Sequence, residues 1–429
     1  MKCISVKEFE DLNEERLNNK LKENGLEYKD SFNKLISFIE EFASSPENED
    51  AFQFMSIKKN RQLGEYVTFK NYVGLIELNN GLQIEILPKI EMASSDSETK
   101  TIFLNMLKSM KDFDGKVFNI SSLKADRMNL YEIFISLYLQ ETYQIVKKGL
   151  KSAYNPIEEN LTVLKGKLKI KEHITKNMIH KDRFFVSYDE YNTNRPENRL
   201  IKTTLFYLVN QTKDNNNKKL CKQLLNYFET VDISYNPDAD LASINIDRSN
   251  KDYETLIDWS RVFLKHKSFT TFSGPSKSRA LLFQMDKLFE CYVAKLFRNV
   301  MYDTQYNIST QDSRYCLFDN PEKFKLRPDI VAHGDEKTVI LDTKWKNLSI
   351  NERENYGISQ SDMYQMYVYS KKYENAPVIW LLYPLNKEIE KLNDYPSFES
   401  NDNVTVNTFF VNLKNAEESI LELKQLVLS

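Results

Sequence analysis

The chain has 429 residues, 41% hydrophobic and 12% aromatic, which suits two or three domains with sizeable cores. Its 59 basic and 62 acidic side chains leave a formal net charge of −3, which argues against a protein that coats nucleic acid non-specifically. No apolar run reaches the ~18 residues of a membrane span, and the 10 glycines form neither GxxxxGK[ST] nor GxGxxG, so no nucleotide site is expected.

The first residues, MKCISVKEFEDLNEE, turn acidic where a secretory signal needs an apolar stretch, so a cytosolic protein is expected. Residues 1–50 read as helical and end in the loop Ser44-Ser45-Pro46-Glu47-Asn48. Val67, Phe69 and Leu75-Ile76-Glu77-Leu78 read as strand. Asn79-Asn80-Gly81 signals a hairpin, and Leu82-Gln83-Ile84-Glu85-Ile86 alternates as a half-buried strand should. Residues 50–92 thus form a small β-rich domain, and Met92–Glu98 is a linker.

Helical patterns resume at 99–112 and 129–149, where Leu130, Ile133, Phe134, Leu137, Tyr138 and Ile145 share a face. A β segment is expected over 161–190 and helices over 197–230, with Asn215-Asn216-Asn217 and 234–250 as loops. Gly274-Pro275 marks the edge of a last unit. It holds an amphipathic helix over 279–300 (Leu281, Met285, Leu288, Tyr292, Leu296), strands at 327–332 and 337–346, a helix at 360–373 and a strand at 377–383. The predicted divisions are 1–95, 96–268 and 269–429. Cys3, Cys221, Cys291 and Cys316 are scattered without a CxxC pair, so they read as buried free thiols rather than a zinc site or a disulfide framework.

Chemistry concentrates in Arg327-Pro328-Asp329 and Asp342-Thr343-Lys344. A turn centred on Gly334-Asp335 pairs residues whose numbers sum to 669, so that Asp329 lies opposite Ile340. Ile340, Asp342 and Lys344 then share the face of Asp329, while Ile330, Val339 and Leu341 fall on the other. Two carboxylates and an amine on one face suit phosphodiester hydrolysis. The carboxylates, with the Thr343 carbonyl, offer oxygen ligands to Mg²⁺. The lysine can orient or deprotonate water and offset negative charge. The plain alternative is a hairpin with surface Asp and Lys, because D-x12-DxK is a short pattern. Gln365 and Tyr369, four apart on a helix, share one face.

Lys165, Lys167, Lys169 and Lys171 alternate with Leu164, Gly166, Leu168 and Ile170, and on a strand the four ammonium groups share a side. Arg183 opens the next strand-like run. This stripe reads equally as a DNA phosphate track, as a solvated edge that guards against pairing, or as a partner surface.

The Asp329/Asp342/Lys344 set resembles that of PD-(D/E)xK nucleases. That resemblance makes Glu290, on the preceding helix, a further acidic candidate, and a Gln-xxx-Tyr helix like Gln365/Tyr369 recurs in one branch. The ordered blocks Glu158-Glu159-Asn160-Leu161, Lys165-Gly166-Lys167-Leu168, Arg195-Pro196-Glu197-Asn198-Arg199-Leu200-Ile201-Lys202, Leu288-Phe289-Glu290, Arg327-Pro328-Asp329, Ile340–Lys344, Tyr364-Gln365-Met366 and Leu382-Tyr383-Pro384 cover roughly residues 100–425. Together they resemble McrC, the nuclease subunit of McrBC-type, 5-methylcytosine-specific restriction systems. Tyr72–Ile76 and Ile84–Ile90 look like the longer members of that family.

The resemblance implies a mixed α+β chain, β-rich and helical at its N-terminal side, followed by a PD-(D/E)xK restriction-endonuclease-like α/β domain. It implies a Mg²⁺-dependent endonuclease that cuts modified double-stranded DNA and stimulates a hexameric McrB-like AAA+ GTPase, with no membrane association. It also implies a projecting finger into the partner ring, for which the hairpin at 163–190 is the candidate. Asn198 and Arg199 are expected in capping and salt-bridge roles. A non-catalytic adaptor of an AAA+ motor and a stand-alone repair nuclease are the competing readings. The intact Asp/Asp/Lys set favours catalysis over the first, and the unremarkable net charge disfavours the second.

Overall fold

A computed structural model of the chain describes residues 3–44, 55–62, 64–109, 128–248, 250–265, 279–335, 337–374 and 376–429. The architecture is mixed α and β, in two compact units. Met1–Arg127 joins Ser268–Ser429 in one, and Met128–Lys267 forms the other. The loop expected at Ser45–Asn48 and the boundary at Gly274-Pro275 lie outside the described residues. Among the described residues no helix is long and apolar enough to cross a membrane.

The first unit opens with strands, not helix: β1 (Cys3–Lys7) and β2 (Asp11–Asn13) precede α1 (Glu14–Glu23) and α2 (Ser31–Ala43). β1 alternates buried Ile4 and Val6 with more exposed neighbours, a period-2 pattern too short to register against the polar run that follows. β3 (Met55–Asn60) and β4 (Gly64–Phe69) join β2 in a three-stranded sheet. β5 (Tyr72–Glu77) and β6 (Gln83–Leu87) form the hairpin expected around Asn79-Asn80-Gly81, where Gly81 N–H donates to the Leu78 carbonyl at 2.8 Å. α3 (Asp96–Leu107) begins inside the expected linker, because the Ser95 side chain caps it at the Glu98 amide.

The second unit holds α4 (Leu130–Lys148), β7 (Ala153–Leu161), β8 (Lys167–Leu168), α5 (Ile170–Lys176), β9 (Phe184–Asn192), α6 (Pro196–Gln211), α7 (Asn215–Tyr227), α8 (Pro237–Ser243) and α9 (Glu254–Lys265). One expected loop is helical and a second is helical in part, over Pro237–Ser243. Asp214 caps α7 by accepting the amides of Asn216 and Asn217, so the three asparagines form a first turn, and Asn236 caps α8 within 234–250. The helices close over Trp259, which packs against Phe134 and Phe263 at centroid distances of 5.5 Å each.

The first unit resumes with β10 (Arg279–Gln284) and α10 (Met285–Val300). The expected helix over 279–300 is therefore six residues too long: Leu281 belongs to a strand, and the buried face of α10 is Met285, Leu288, Phe289, Val293, Ala294 and Phe297. Tertiary pairing decides this, since β10 runs antiparallel to β5 and completes the sheet β1-β6-β5-β10. Gly74 permits the approach, for a Cβ there would lie 2.0 Å from the Leu281 carbonyl oxygen. The expected separate division at 1–95 is thereby corrected: strands on both sides of the second unit share one sheet.

β11 (Asn307–Thr310), β12 (Cys316–Asp319), β13 (Glu322–Lys325), β14 (Ile330–His333), β15 (Thr338–Thr343), α11 (Gln360–Lys372), β16 (Val378–Pro384), β17 (Ser397–Glu399), β18 (Thr405–Val411) and α12 (Ala416–Leu428) complete the chain. Six strands form a sheet in the order β11-β14-β15-β16-β18-β17, parallel across β15, β16 and β18. α11 covers one side, where Met366, Tyr369 and Tyr373 pack with Val331, Ile340, Ile379 and Leu381. α10 contacts β15, and α12 contacts α10 and β18. Burial on both faces explains the near-continuous apolar run of β15.

Candidate functional site

β14 and β15 form the expected hairpin in a different register. Ile330 pairs with Leu341 and His333 with Thr338, a sum of 671. Gly334 N–H donates to the Lys337 carbonyl at 3.0 Å, which moves the turn one residue beyond Gly334-Asp335. The expected sum of 669 is thus corrected by two, an even shift that leaves every side chain on its expected face. Continuing the observed register places Asp329 across from Asp342 rather than Ile340.

Asp342 is 1% exposed. Burial raises its carboxyl to about 7, with the charge of Asp329 adding to the rise and Lys344 opposing it. Asp329 is likewise raised, by burial first, against hydrogen bonds from Thr343. Both bonds reach one oxygen: the Thr343 amide and hydroxyl donate to Asp329 Oδ2 at 2.7 Å each. Lys344 Nζ donates to Asp342 Oδ2 and, at 3.3 Å, to Gln365 Oε1. Burial alone lowers the lysine, but the charge and hydrogen bond of Asp342 outweigh it, so Lys344 is held as an ammonium. Gln365 Nε2 in turn donates to the Tyr369 hydroxyl at 2.6 Å. The four residues expected to share a site are therefore joined in one chain of contacts, Asp342–Lys344–Gln365–Tyr369, with Asp329 across the hairpin.

Glu290 reaches the same place through a residue the sequence did not single out. Gln311 Nε2 donates to Glu290 Oε1 at 2.6 Å and to Asp329 Oδ1 at 3.4 Å. Gln311 sits at φ 51°, a left-handed conformation at the end of β11 that no motif announces. Burial and the neighbouring Asp329 raise Glu290 to about 7. Among the described residues no three His, Cys, Asp or Glu side chains converge enough to hold a metal ion by themselves.

The lysine stripe does not form. Lys167 lies in β8, Lys169 precedes α5 and Lys171 lies within it, so the four side chains do not alternate along one strand. The chain turns at Gly166 (φ 70°), where a Cβ would meet the Ser187 carbonyl at 2.5 Å. Lys165 stacks over the Tyr188 ring at 3.6 Å, and Lys169 pairs with Glu158 at 2.5 Å. Lys167, Lys171 and Arg183 are exposed. The projecting hairpin expected at 163–190 is longer and differently built. β7 and β9 pair over nine residues each, from Ala153↔Asn192 to Leu161↔Phe184, and the segment between them folds as β8 and α5. Its end is apolar and solvated: Val163, Leu164, Ile170, Ile174, Met178 and Ile179 are 57–87% exposed.

Asn198 and Arg199 take the structural roles expected. Asn198 Nδ2 donates to the carbonyls of Lys151 and Thr193 at 3.0 and 2.7 Å, fastening both strands of the β7–β9 ladder to α6 at its Ala153/Asn192 end. Arg199 pairs with Asp240 at 2.5 Å. Of the four cysteines Cys221 and Cys316 are buried, as expected, while Cys3 and Cys291 are half-buried, so the expectation of burial fails for those two.

Residues 67–384 match the family described as McrBC 5-methylcytosine restriction system component. The type IV methyl-directed restriction enzyme EcoKMcrBC of Escherichia coli (strain K12) is 22% identical over 275 residues, 60% of this chain and 77% of that protein. The fold resembles a chain in the refined half-complex from a tetradecameric assembly of Thermococcus gammatolerans McrB AAA+ hexamers with bound McrC. That likeness has a TM-score of 0.70 at 18% identity and covers 99% of this chain and 100% of the other. It also resembles a chain of the cryo-EM structure of the Thermococcus gammatolerans McrBC complex, at TM-score 0.50 and 18% identity, over 70% and 88% of the two chains. With its match spanning well over half the sequence, this chain belongs to the McrBC restriction-system family.

Proposed function

We propose that the chain is the McrC-like subunit of such a system: a PD-(D/E)xK endonuclease that cuts modified double-stranded DNA in the cytoplasm and docks on a hexameric McrB-like AAA+ GTPase. The observation that supports this best is the union of Asp329, Asp342, Lys344 and Gln365 at the ends of β14 and β15. Two carboxylates both raised by burial, with the charge of Asp329 raising Asp342 further, are a poor structural choice and a good cation site. Asp329, Asp342 and the Thr343 carbonyl would hold Mg²⁺. Two carboxylates and a carbonyl fit an ion that keeps several waters and takes substrate phosphate oxygens. When bound, that ion polarises the scissile phosphate and acidifies water.

The chain's own residues do the rest. Lys344, kept protonated by Asp342, presents a fixed positive charge to the phosphate oxygens and orients the attacking water rather than deprotonating it. Gln365 holds that ammonium, and Tyr369 fixes the orientation of the Gln365 amide. Thr343 locks one oxygen of Asp329, leaving the other directed at Gln311.

The apolar end of the β7–β9 projection supports partner docking, because exposed aliphatic side chains at an extended tip mark a surface that becomes covered. Plasmid cleavage tests the reading, with Mg²⁺ and GTP, with and without the partner, on methylated and unmethylated DNA. Cutting that needs the partner, Asp342 and Lys344 is expected. Cutting without the partner indicates a stand-alone nuclease. No cutting with GTPase stimulation intact leaves the adaptor.

A further inference from the structure

Glu8, just past β1, is 1% exposed. Its carboxylate accepts the Asn71 amide at 2.7 Å, the Lys89 amide at 3.4 Å, and the Trp345 indole Nε1–H at 3.1 Å to each oxygen. Trp345 follows Lys344 directly. Asn71 is equally committed: its carbonyl accepts the Met285 amide and its side-chain oxygen the Asp286 amide, each at 2.8 Å. Those are the first amides of α10, which carries Glu290. Phe289 of the same helix packs on Trp345 at a centroid distance of 5.5 Å. One carboxylate therefore meets the neighbour of Lys344 directly and the start of the Glu290 helix through one residue.

The arrangement is costly. Burial raises Glu8 to about 7 against the opposing bonds from Trp345, Asn71 and Lys89. An apolar side chain of similar size would fill the space without desolvating a carboxylate. Glu8 also lies outside the stretch matched to the family, residues 67–384.

Resting on the nuclease reading, we propose that Glu8 is a positioning residue for DNA cleavage: through Trp345 and Asn71 it fixes the end of the strand that bears Lys344 relative to the helix that bears Glu290. The test uses the full chain with its AAA+ partner. The indole N–H signals of the three tryptophans are recorded by ¹⁵N NMR on the metal-free chain, and cleavage and GTPase rates on the complex. Glu8→Gln is expected to move the Trp345 indole signal. It should lower kcat for cleavage by about 10–100-fold, as loss of a supporting contact typically does, with KM for DNA and GTPase stimulation unchanged. Trp345→Phe, which keeps the ring but not the donor, should reproduce the loss, and the double variant should add nothing. An unmoved indole signal, an unchanged kcat in folded Glu8→Gln, or additive losses in the double variant would each overturn the proposal. Those results require a wild-type complex that cuts DNA, so they differ from failure of the nuclease reading, in which wild type itself cuts nothing.

Discussion

Asp342→Asn should stabilise the metal-free protein while abolishing cleavage. Unfolded, Asp342 releases its proton near 3.8; folded, it does so near 7. Between those values the folded state keeps a proton that the unfolded chain has lost, so stability falls as pH rises through the window. The full penalty is reached above pH 7. About three pH units at roughly 1.4 kcal/mol each give a cost of about 4 kcal/mol. Asparagine is isosteric, uncharged and still accepts the Lys344 hydrogen bond, while Asp329 remains as counter-charge to the ammonium. That cost is already net of the Lys344 attraction, and an amide that fits the site less well than a protonated carboxyl recovers only part of it, roughly 1–3 kcal/mol, or a few degrees in Tm. The assay is thermal melting of both proteins in chelator at pH 8 and pH 4.5, followed by cleavage with Mg²⁺. The expected result is a higher Tm for the variant at pH 8, a difference that closes at pH 4.5, and cleavage reduced at least about 100-fold. A variant that melts no higher than wild type at pH 8 would refute the claim that these carboxylates are held together against electrostatic cost.

Tyr369→Phe removes the acceptor for the Gln365 amide inside a buried face. It should slow single-turnover cleavage about tenfold and leave the chain folded, as read by circular dichroism. Ile179→Asp with Met178→Asp at the exposed tip should abolish GTPase stimulation of the partner without changing the Tm of the isolated chain, since both side chains are solvated already. Gly74→Ala drives a methyl group to 2.0 Å from the Leu281 carbonyl oxygen. A loss of about 3 kcal/mol or more, or insoluble protein, is expected, and denaturant unfolding measures it. Asn198→Ala strips donors from two carbonyls that join the ladder to α6. It should cost about 2–4 kcal/mol, read by the same unfolding method.

The site was legible where chemistry and periodicity coincide. Counting in twos puts Asp329, Asp342 and Lys344 on one face, and the observed register keeps them there because it differs from the expected one by an even number. Gln365 and Tyr369 followed from helical spacing. The failures have a common cause in contacts distant along the chain. β1 pairs in parallel with β6, as Cys3 with Gln83, and β10 pairs with β5, as Arg279 with Glu77. Neither strand contains a local signal strong enough to outvote its neighbours, so Leu281 read as helix and the opening residues as a helical arm. The lysine stripe failed for a local reason: Gly166 turns the chain, and Lys169 and Lys171 then meet a helix start instead of more strand. Gln311 was invisible because its role depends on a backbone conformation, and Glu8 because its partner Trp345 is 337 residues away.

The sheet that takes β10 as its edge has a consequence for synthesis. The partner of Glu77 is Arg279, so β5 leaves the ribosome about 200 residues before the strand that covers it. At roughly 5–20 residues per second, that is an interval of about 10–40 s with an apolar edge unpaired. The intervening unit, Met128–Lys267, is contiguous and can form on emergence, while the unit around it must wait. Nascent chains should therefore engage holding chaperones through the 72–77 strand, and arrest at codons between 130 and 270 should leave that strand, not the helical unit, as the point of aggregation.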